Sequence, residues 1–447
     1  MKNNPRGIAV DILNRVDKTG SFAEPILDSF LSRNILANIH DRRLLTQLVY
    51  GTLRMRGHLD WVIRHLYRGR MESMDAGIKN ILRTGLYQLM FTDRIPEFAA
   101  VDEAVKITEK AYPGRSGLVN AILRNAIRKK GDFEYPAIDK DPSSHISIVH
   151  SHPLWMVKRW LNIFGIEETL EICKANNEIP PLTLRINRLK TDRDELLKEL
   201  SGEGLTVRPT EFSPDGIILS NPPAPVRETK YYKIGYIQIQ DEASQLISLL
   251  VNPKPGERIM DICAGIGGKT THMAGMMRNS GSILALDISR KKIESSKALS
   301  KRLGATIIDT LVGDAASEPE KPLHEKFDHV LVDAPCSGLG TLRRNPEIKW
   351  RLLPEDLKSL PPLQKRILNS AGRYLKSGGT LIYSTCTIMP EENEEVIKAF
   401  LSDNSGFEQI HPPASINSKM TDKEGFFRTY PHRHGTDGFF GAVLLKK

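Results

Sequence analysis

The chain reads as an α/β protein in three parts: an all-α bundle over residues 1–140, a small α+β module over 141–235, and a doubly wound domain over 236–447. Three observations predict this. Apolar residues recur at helical spacing through the first third, as in Ile78, Ile81, Leu82, Leu86, Leu89 and Met90. The pattern switches to alternation of period two in LTLRINRL, which begins at Leu182. Beyond Gly235, short apolar runs alternate with helical segments, the pattern of a parallel sheet flanked by helices.

In the first part, breakers at Gly20, Pro96 and Pro113-Gly114 divide the periodic run into several helices. The segments DRRLLTQLVYGTLR and AAVDEAVKITEKAYPGRSGLVNAILRNAIRK are similar to the NusB fold of antitermination factors, a small helical RNA-binding domain. The linker GDFEYPAIDKDPSSHIS, rich in Asp, Pro and Ser, sets a boundary near residue 140. The middle module opens with the helices LWMVKRWLNIFG and EETLEICKANN. A strand, a helix at Arg193–Leu200 and strands near Leu205–Arg208 and Gly216–Leu219 follow, which gives it an RNA-recognition-motif character. Arg185, Asn187 and Arg188 on its first strand are candidate RNA contacts, with a structural salt bridge as the equal alternative. In the third part the expected strands are RIMDIC, SILALDI, IIDTLVGD, HVLVDAP, TLIYSTC and a closing hairpin ending in FFGAVLLKK.

With 447 residues and a prior of roughly 150 residues per domain, each part can bury its own core. The hydrophobic share of 40% and charged share of 26% are ordinary for a globular chain and exclude a fibre. No run approaches the roughly 20 apolar residues of a membrane span, and MKNNPRGIAVDILNRV carries no apolar signal core, so a cytoplasmic protein is expected. Four cysteines without a C-x-x-C pair read as free thiols. The net charge of +9 lies wholly in residues 1–130, which hold 22 Lys+Arg against 13 Asp+Glu. That excess is mostly Arg, and guanidinium matches phosphate geometry, so a polyanion is the expected partner.

Cys263-Ala264-Gly265-Ile266-Gly267-Gly268-Lys269 ends one strand and opens a helix, where glycines let a ligand approach the backbone amides. A phosphate-cradling loop would need Gly at Cys263, and the dinucleotide fingerprint would need Gly at Thr270. S-adenosylmethionine remains. Asp287, about 20 residues beyond the glycines, suits its ribose hydroxyls. Asp314 suits the adenine amino group, and Asp261, Asp287, Asp314 and Asp333 fall at four successive strand ends.

Two apolar runs, HVLVDAPCSG and GGTLIYSTCT, each deliver a cysteine to the carboxyl edge of the sheet, where ligands of open α/β folds bind. Enzymes that methylate exocyclic amines place an aromatic residue where Cys336 stands. A thiol there argues instead for methylation of carbon-5 of a pyrimidine, which reacts only after a nucleophile has added at carbon-6.

DAPCSGLG, STCT followed by PEEN, LRRNPEIKW and the NusB-like front together resemble the bacterial Sun-type (Fmu) 16S ribosomal RNA cytosine carbon-5 methyltransferases, over nearly the whole chain. The resemblance implies a Rossmann-like catalytic domain with Cys386 as the nucleophile, while Cys336 assists breakdown of the covalent adduct. DNA cytosine methyltransferases use the cysteine of their Pro-Cys motif instead, which would point to Cys336. It further implies that Asp333 borders both the methionine tail and the target base, and that Lys269 and the glycine loop hold the methionine end. Small-subunit ribosomal RNA is the implied substrate. The same chemistry on transfer RNA, and an RNA-binding regulator with a non-catalytic methyltransferase domain, are the alternatives.

The family usually has Ala-Pro where this chain has Gly265-Ile266, a change that frees the loop and weakens cofactor binding by up to about 1 kcal/mol through chain entropy. Cys263 and Cys173 read as packing thiols. His432 and His434 have no accompanying Cys or carboxylate cluster, so no metal is expected, and nothing in the pattern requires a protein partner. The basic loop Arg343-Arg344-Asn345-Pro346 is a candidate guide for RNA phosphates.

Overall fold

The computed structural model describes residues 4–32, 36, 38–317 and 326–447. The chain forms two compact units. One runs to Ile179 and takes in Leu342–Leu352; the other comprises Pro180–Thr341 and Leu353–Lys447.

The first unit is helical: α1 (Pro5–Thr19), α2 (Ala23–Leu31), α3 (Ile39–Arg54), α4 (Arg56–Leu66), α5 (Ala76–Phe91), α6 (Glu97–Ala111), α7 (Ser116–Arg128), α8 (Pro142–Val149) and α9 (Leu154–Asn176). Local chemistry sets the ends. Asn4 caps α1 by accepting the Arg6 N–H, Pro5 follows at the first position, and Gly20 closes the helix in the left-handed region at φ 63°. Asp75 caps α5 through the amides of Gly77 and Ile78. Because α5 buries Ile78, Ile81, Leu82, Leu86 and Leu89 while packing against α1, α3, α4, α6 and α7, it is the central helix of the bundle. Helix α9 breaks at Gly165, where φ is 78°.

The second unit contains two sheets. The smaller is built from β1 (Thr183–Ile186), α10 (Arg193–Gly202), β2 (Thr206–Pro209), β3 (Gly216–Ser220), α11 (Lys230–Lys233) and β4 (Ile237–Ile239). Its strands pair antiparallel in the order β2-β3-β1-β4, a ferredoxin-like arrangement that the RNA-recognition motif shares. Strand β4 lies beyond residue 235, and the helices at 142–176 belong to the first unit. Both differ from the sequence-based boundaries, because compactness follows packing and not the order of patterns along the chain.

The larger sheet uses α12 (Glu242–Val251), β5 (Arg258–Ile262), α13 (Gly268–Met276), β6 (Ser282–Asp287), α14 (Arg290–Leu303), β7 (Ile308–Val312) and β8 (Phe327–Asp333). After α15 (Ile348–Arg351), which lies in the first unit, come α16 (Asp356–Gly372), β9 (Leu375–Thr385), α17 (Glu394–Asp403), β10 (Phe407–Ile410), β11 (Phe427–Arg428), α18 (Pro431–His434) and β12 (Phe440–Lys446). The order is β10-β12-β9-β8-β5-β6-β7, with β5 to β9 parallel and β12 antiparallel to β9. Strand order reverses between β5 and β8, so the crevice for a ligand opens at their carboxyl ends.

The segment Leu342–Leu352 is tied into the helical unit. The buried Lys349 ammonium donates to the carbonyls of Arg54 and Ser151, both at 2.8 Å, and to Asn177 Oδ1 at 3.2 Å. Trp350 Nε1 donates to Leu53 O at 2.6 Å, and Glu347 accepts the Ala23 N–H at the start of α2. Burial holds the Lys349 pKa well below its ordinary value. Here the structure corrects the basic-loop expectation for Arg343. Arg343 is 2% exposed and its carbonyl accepts from Arg54, so its guanidinium is not presented to phosphates in solvent.

Of the two alternatives for Arg185, Asn187 and Arg188, the structure shows the structural one, with Arg185 on β1 and the other two just beyond it. Arg185 is buried and donates to Gln240 Oε1, to the Gly268 carbonyl and to Thr271 Oγ1. Asn187 is buried between the carbonyls of Gly235 and Leu303. Arg188 makes a salt bridge to Asp215 at 2.6 Å, and Asp215 also accepts from His272 at 2.7 Å. Burial pushes His272 down to about 4, so the imidazole is neutral and donates. These residues join the small sheet to α13 instead of facing RNA.

Candidate active site

Register brings the two cysteine motifs together. Asp333, the last residue of β8, pairs with Ser384 of β9, so the next few residues of each strand leave the sheet side by side. Cys336 and Cys386, fifty residues apart, stand with sulfurs 3.4 Å from each other. The Cys386 N–H donates to Cys336 Sγ at 3.3 Å, and the Cys386 carbonyl accepts from Gly340 N at 2.9 Å. Only glycine fits at 340, since a Cβ there would lie 1.9 Å from Gly438 O. The Cys336 thiol is pushed well above its ordinary pKa, first by its hydrogen bond to the Cys386 sulfur and then by burial. Either sulfur can donate in the sulfur–sulfur contact.

Asp333 anchors the floor of the site. Its carboxylate accepts from Lys269 Nζ at 2.6 Å and from Ser384 Oγ at 3.0 Å. Lys269 is raised above the ordinary lysine value: burial works against its charge, and Asp333 and then Cys386 outweigh burial. One ammonium group thus serves Asp333 and lies within electrostatic reach of Cys386.

The glycine loop packs between β5 and β6. Ala264 N donates to Leu286 O and Gly265 N to Asp287 Oδ2, each at 2.9 Å, while Asp287 Oδ1 accepts from Ser289 N at 2.8 Å. Gly267 takes φ 85° at the start of α13, where a Cβ would fall 2.4 Å from Ser296 Oγ. Cys263 sits in the left-handed region at φ 64°, and burial pushes its thiol up to about 12, as suits a packing thiol. Cys173 is fully buried. Asp314 is engaged in its own turn, accepting from Ala316 N and Ser317 Oγ.

These residues fit S-adenosylmethionine. Asp261 Oδ2 is taken by Thr270 Oγ1 at 2.6 Å, while its Oδ1 is buried without a partner, an acceptor that a cationic ligand can use. Ile266 and Ile288, 54% and 71% exposed, offer apolar surface at the ends of β5 and β6, suited to the face of a purine. Among the described residues, no group of three or more His, Cys, Asp or Glu side chains could hold a metal ion, and His434 Nδ1 accepts from Tyr430 N. No helix of the described residues is long and apolar enough to cross a membrane.

Sequence reasoning missed Glu392 and Gln364. The fully buried Glu392 accepts from residues of both cysteine loops, and Gln364 on α16 donates to Glu392 and to Pro335 O. A carboxylate within PEEN, six residues beyond the second cysteine, was the available signal.

A reversed-order parallel sheet with a glycine loop, strand-end aspartates and two apposed thiols defines a Rossmann-like methyltransferase, here joined to a helical unit and a ferredoxin-like module. Comparison with known proteins agrees. The family described as 16S rRNA methyltransferase RsmB/F matches residues 248–445, the NusB family matches 3–128, and the ferredoxin-like domain of RsmF/B-like methyltransferases matches 152–227. The chain is 36% identical to a probable ribosomal RNA small subunit methyltransferase B of Bacillus subtilis (strain 168), over 100% of this chain and 99% of the relative. It is 35% identical to ribosomal RNA small subunit methyltransferase B of Yersinia pseudotuberculosis (serotype O:1b, strain IP 31758), with both chains fully covered. The crystal structure of PH0851 superposes with a TM-score of 0.84 at 30% identity, covering 99% of each chain. A methyltransferase homolog from Pyrococcus horikoshii gives 0.58 at 28% identity, covering 69% of this chain and 99% of its own.

The chain belongs to the RsmB/F family of 16S rRNA methyltransferases, whose methyl donor is S-adenosylmethionine. Its NusB-like front is shown by the same comparisons.

Proposed function

We propose that the protein methylates carbon-5 of a cytosine in small-subunit ribosomal RNA through a covalent bond between Cys386 and carbon-6. The observation that carries this reading is the pair of thiols 3.4 Å apart at the carboxyl edge of β8 and β9. Cys386 adds to the ring through its sulfur, with the Cys336 sulfur beside it. Asp333, held by Lys269 and Ser384, presents a carboxylate to the polar edge of the base. S-adenosylmethionine supplies an electrophilic methyl group, and Gly265, Gly267, Gly268, Asp287 and Asp314 line its site, with Cys263, Ala264 and Ile266 contributing backbone and Ile266 apolar surface. Once carbon-5 is methylated, Cys336 in its thiolate form takes the carbon-5 proton; the electrons of that C–H bond reform the 5,6 double bond as the bond from carbon-6 to Cys386 breaks and the sulfur leaves as a thiolate. The target base must be unstacked, since a stacked ring offers no face to a thiol.

We also assign an RNA-gripping role to the arginine-rich bundle, a cytoplasmic location and action without an obligate protein partner. The test is bisulfite sequencing of small-subunit ribosomal RNA and of transfer RNA after incubation with cofactor and either the wild type or Cys386→Ala. One protected cytosine in the ribosomal RNA, lost with Cys386→Ala while cofactor affinity is retained, is expected. Protection confined to transfer RNA, or undiminished in the variant, would overturn the reading.

A further inference from the structure

The two cysteines belong to different loops, and the distance between their sulfurs depends on what joins those loops. The described residues place one buried carboxylate there. Glu392 accepts from Ser337 N at 2.8 Å, from Ser337 Oγ at 2.5 Å, from Gln364 Nε2 at 3.1 Å and from Thr387 Oγ1 at 3.2 Å. Ser337 follows Cys336 in the chain, and Thr387 follows Cys386. Their hydroxyls also meet directly at 2.8 Å. An ionised carboxylate has about four acceptor positions, so four donors can be satisfied at once, which no neutral side chain of this size can do.

The carboxylate is itself held from behind. Tyr383 OH donates to Glu392 O at 2.6 Å, Thr385 Oγ1 to Asn393 Oδ1 at 2.6 Å, and Asn393 Nδ2 to Thr387 O at 3.0 Å. Gln364 Nε2 donates both to Glu392 and to Pro335 O, at 3.0 Å for the latter, so the peptide before Cys336 is fixed by the same network. Glu392, Ser337, Gln364, Tyr383, Thr385, Thr387 and Asn393 are all buried. Burial holds the Glu392 carboxyl above its ordinary pKa, although the hydrogen bonds from Ser337, Gln364 and Thr387 act against it.

We infer that Glu392 is a positioning residue that sets the separation of the two thiols by holding the residue after each cysteine. This rests on the two-thiol reading of the reaction. Glu392 is fully buried, and its effect passes through Ser337 and Thr387. A shift of about 1 Å in a reacting group can cost on the order of 10²-fold in rate, so a network that fixes both loops controls turnover without contributing to ligand affinity.

The test compares full-length wild type, Glu392→Gln and Glu392→Leu. Diamide joins Cys336 to Cys386 by taking up the two thiol hydrogens as the S–S bond forms, and peptide mapping follows the rate of that bond. Calorimetry with S-adenosylhomocysteine reads the cofactor site. Methyl transfer to unmodified small-subunit ribosomal RNA is resolved into kcat and KM.

Glu392→Leu is expected to lower kcat by about 10²-fold and to slow the cross-link by at least about tenfold, with cofactor affinity within about twofold of wild type. Glu392→Gln, which keeps the shape and one acceptor oxygen, should fall between. A folded variant that cross-links and turns over at the wild-type rate overturns the inference, and Glu392→Gln decides the matter if Glu392→Leu does not fold. Failure of the two-thiol reading has a different sign: Cys386→Ala would still methylate, whatever the Glu392 variants do.

Discussion

Asp261 should make the stability of the free protein fall between pH 4 and 7. The residue is the last but one of β5, is 1% exposed and leaves one carboxyl oxygen without a partner. Burial pushes its pKa up from 3.8 to about 7, against the pull of the Thr270 hydrogen bond and with the added repulsion of Asp333. In the unfolded chain the same carboxyl loses its proton near pH 4. Between these values the folded state holds a proton that the unfolded state has released, so raising the pH favours unfolding. The contribution is fully present below the unfolded pKa and lost as pH rises through the folded one. At about 1.4 kcal/mol per pH unit over roughly three units, the loss is about 4 kcal/mol.

Asp261→Asn keeps an oxygen for Thr270 and removes the titration. The stability difference, variant minus wild type, should therefore grow by about 4 kcal/mol from pH 4 to pH 8 and level off above pH 7. Urea unfolding without cofactor, at one-unit pH steps, reads it as a divergence of roughly 1 M or more in midpoint. Far-UV circular dichroism is the suitable probe, because Trp61, Trp155, Trp160 and Trp350 all lie in the helical unit and their fluorescence would not report on β5. Parallel profiles for the two proteins would refute the reasoning.

Two further outcomes are expected. Cys336→Ala should trap a protein–RNA adduct that survives denaturing gels, and recovery of only free enzyme would remove Cys336 from adduct breakdown. Arg185→Met should destabilise the protein by about 3 kcal/mol, because it leaves the Gly268 carbonyl and Gln240 without their buried donor, and should weaken binding of S-adenosylhomocysteine. The salt dependence of RNA binding should not change in that variant, whereas a flatter slope would mean that Arg185 meets phosphate after all.

Features that depend on residue type and local period were legible in the chain itself. Strand ends at Asp261, Asp287, Asp314 and Asp333, the glycine loop, the helix at Arg193 and the placement of Cys336 and Cys386 at strand ends need only short windows of sequence. A buried strand or an amphipathic helix leaves its mark within a few turns of chain. The roles of Arg185 and Arg343 are not legible in the sequence for the converse reason. A cation in a strand or loop looks the same whether it faces RNA or donates to a carbonyl distant in sequence, as Arg185 does to Gly268.

Only tertiary structure decided the register of β8 against β9, and with it the 3.4 Å between sulfurs. It also decided that the Cys336 thiol is pushed well above its ordinary pKa, that Leu342–Leu352 belongs with the helices, and that Glu392 joins two loops. Each of these depends on burial and on hydrogen bonds between residues tens to hundreds of positions apart. Such interactions gain their strength from the loss of water, and no short stretch of sequence records where water has been excluded.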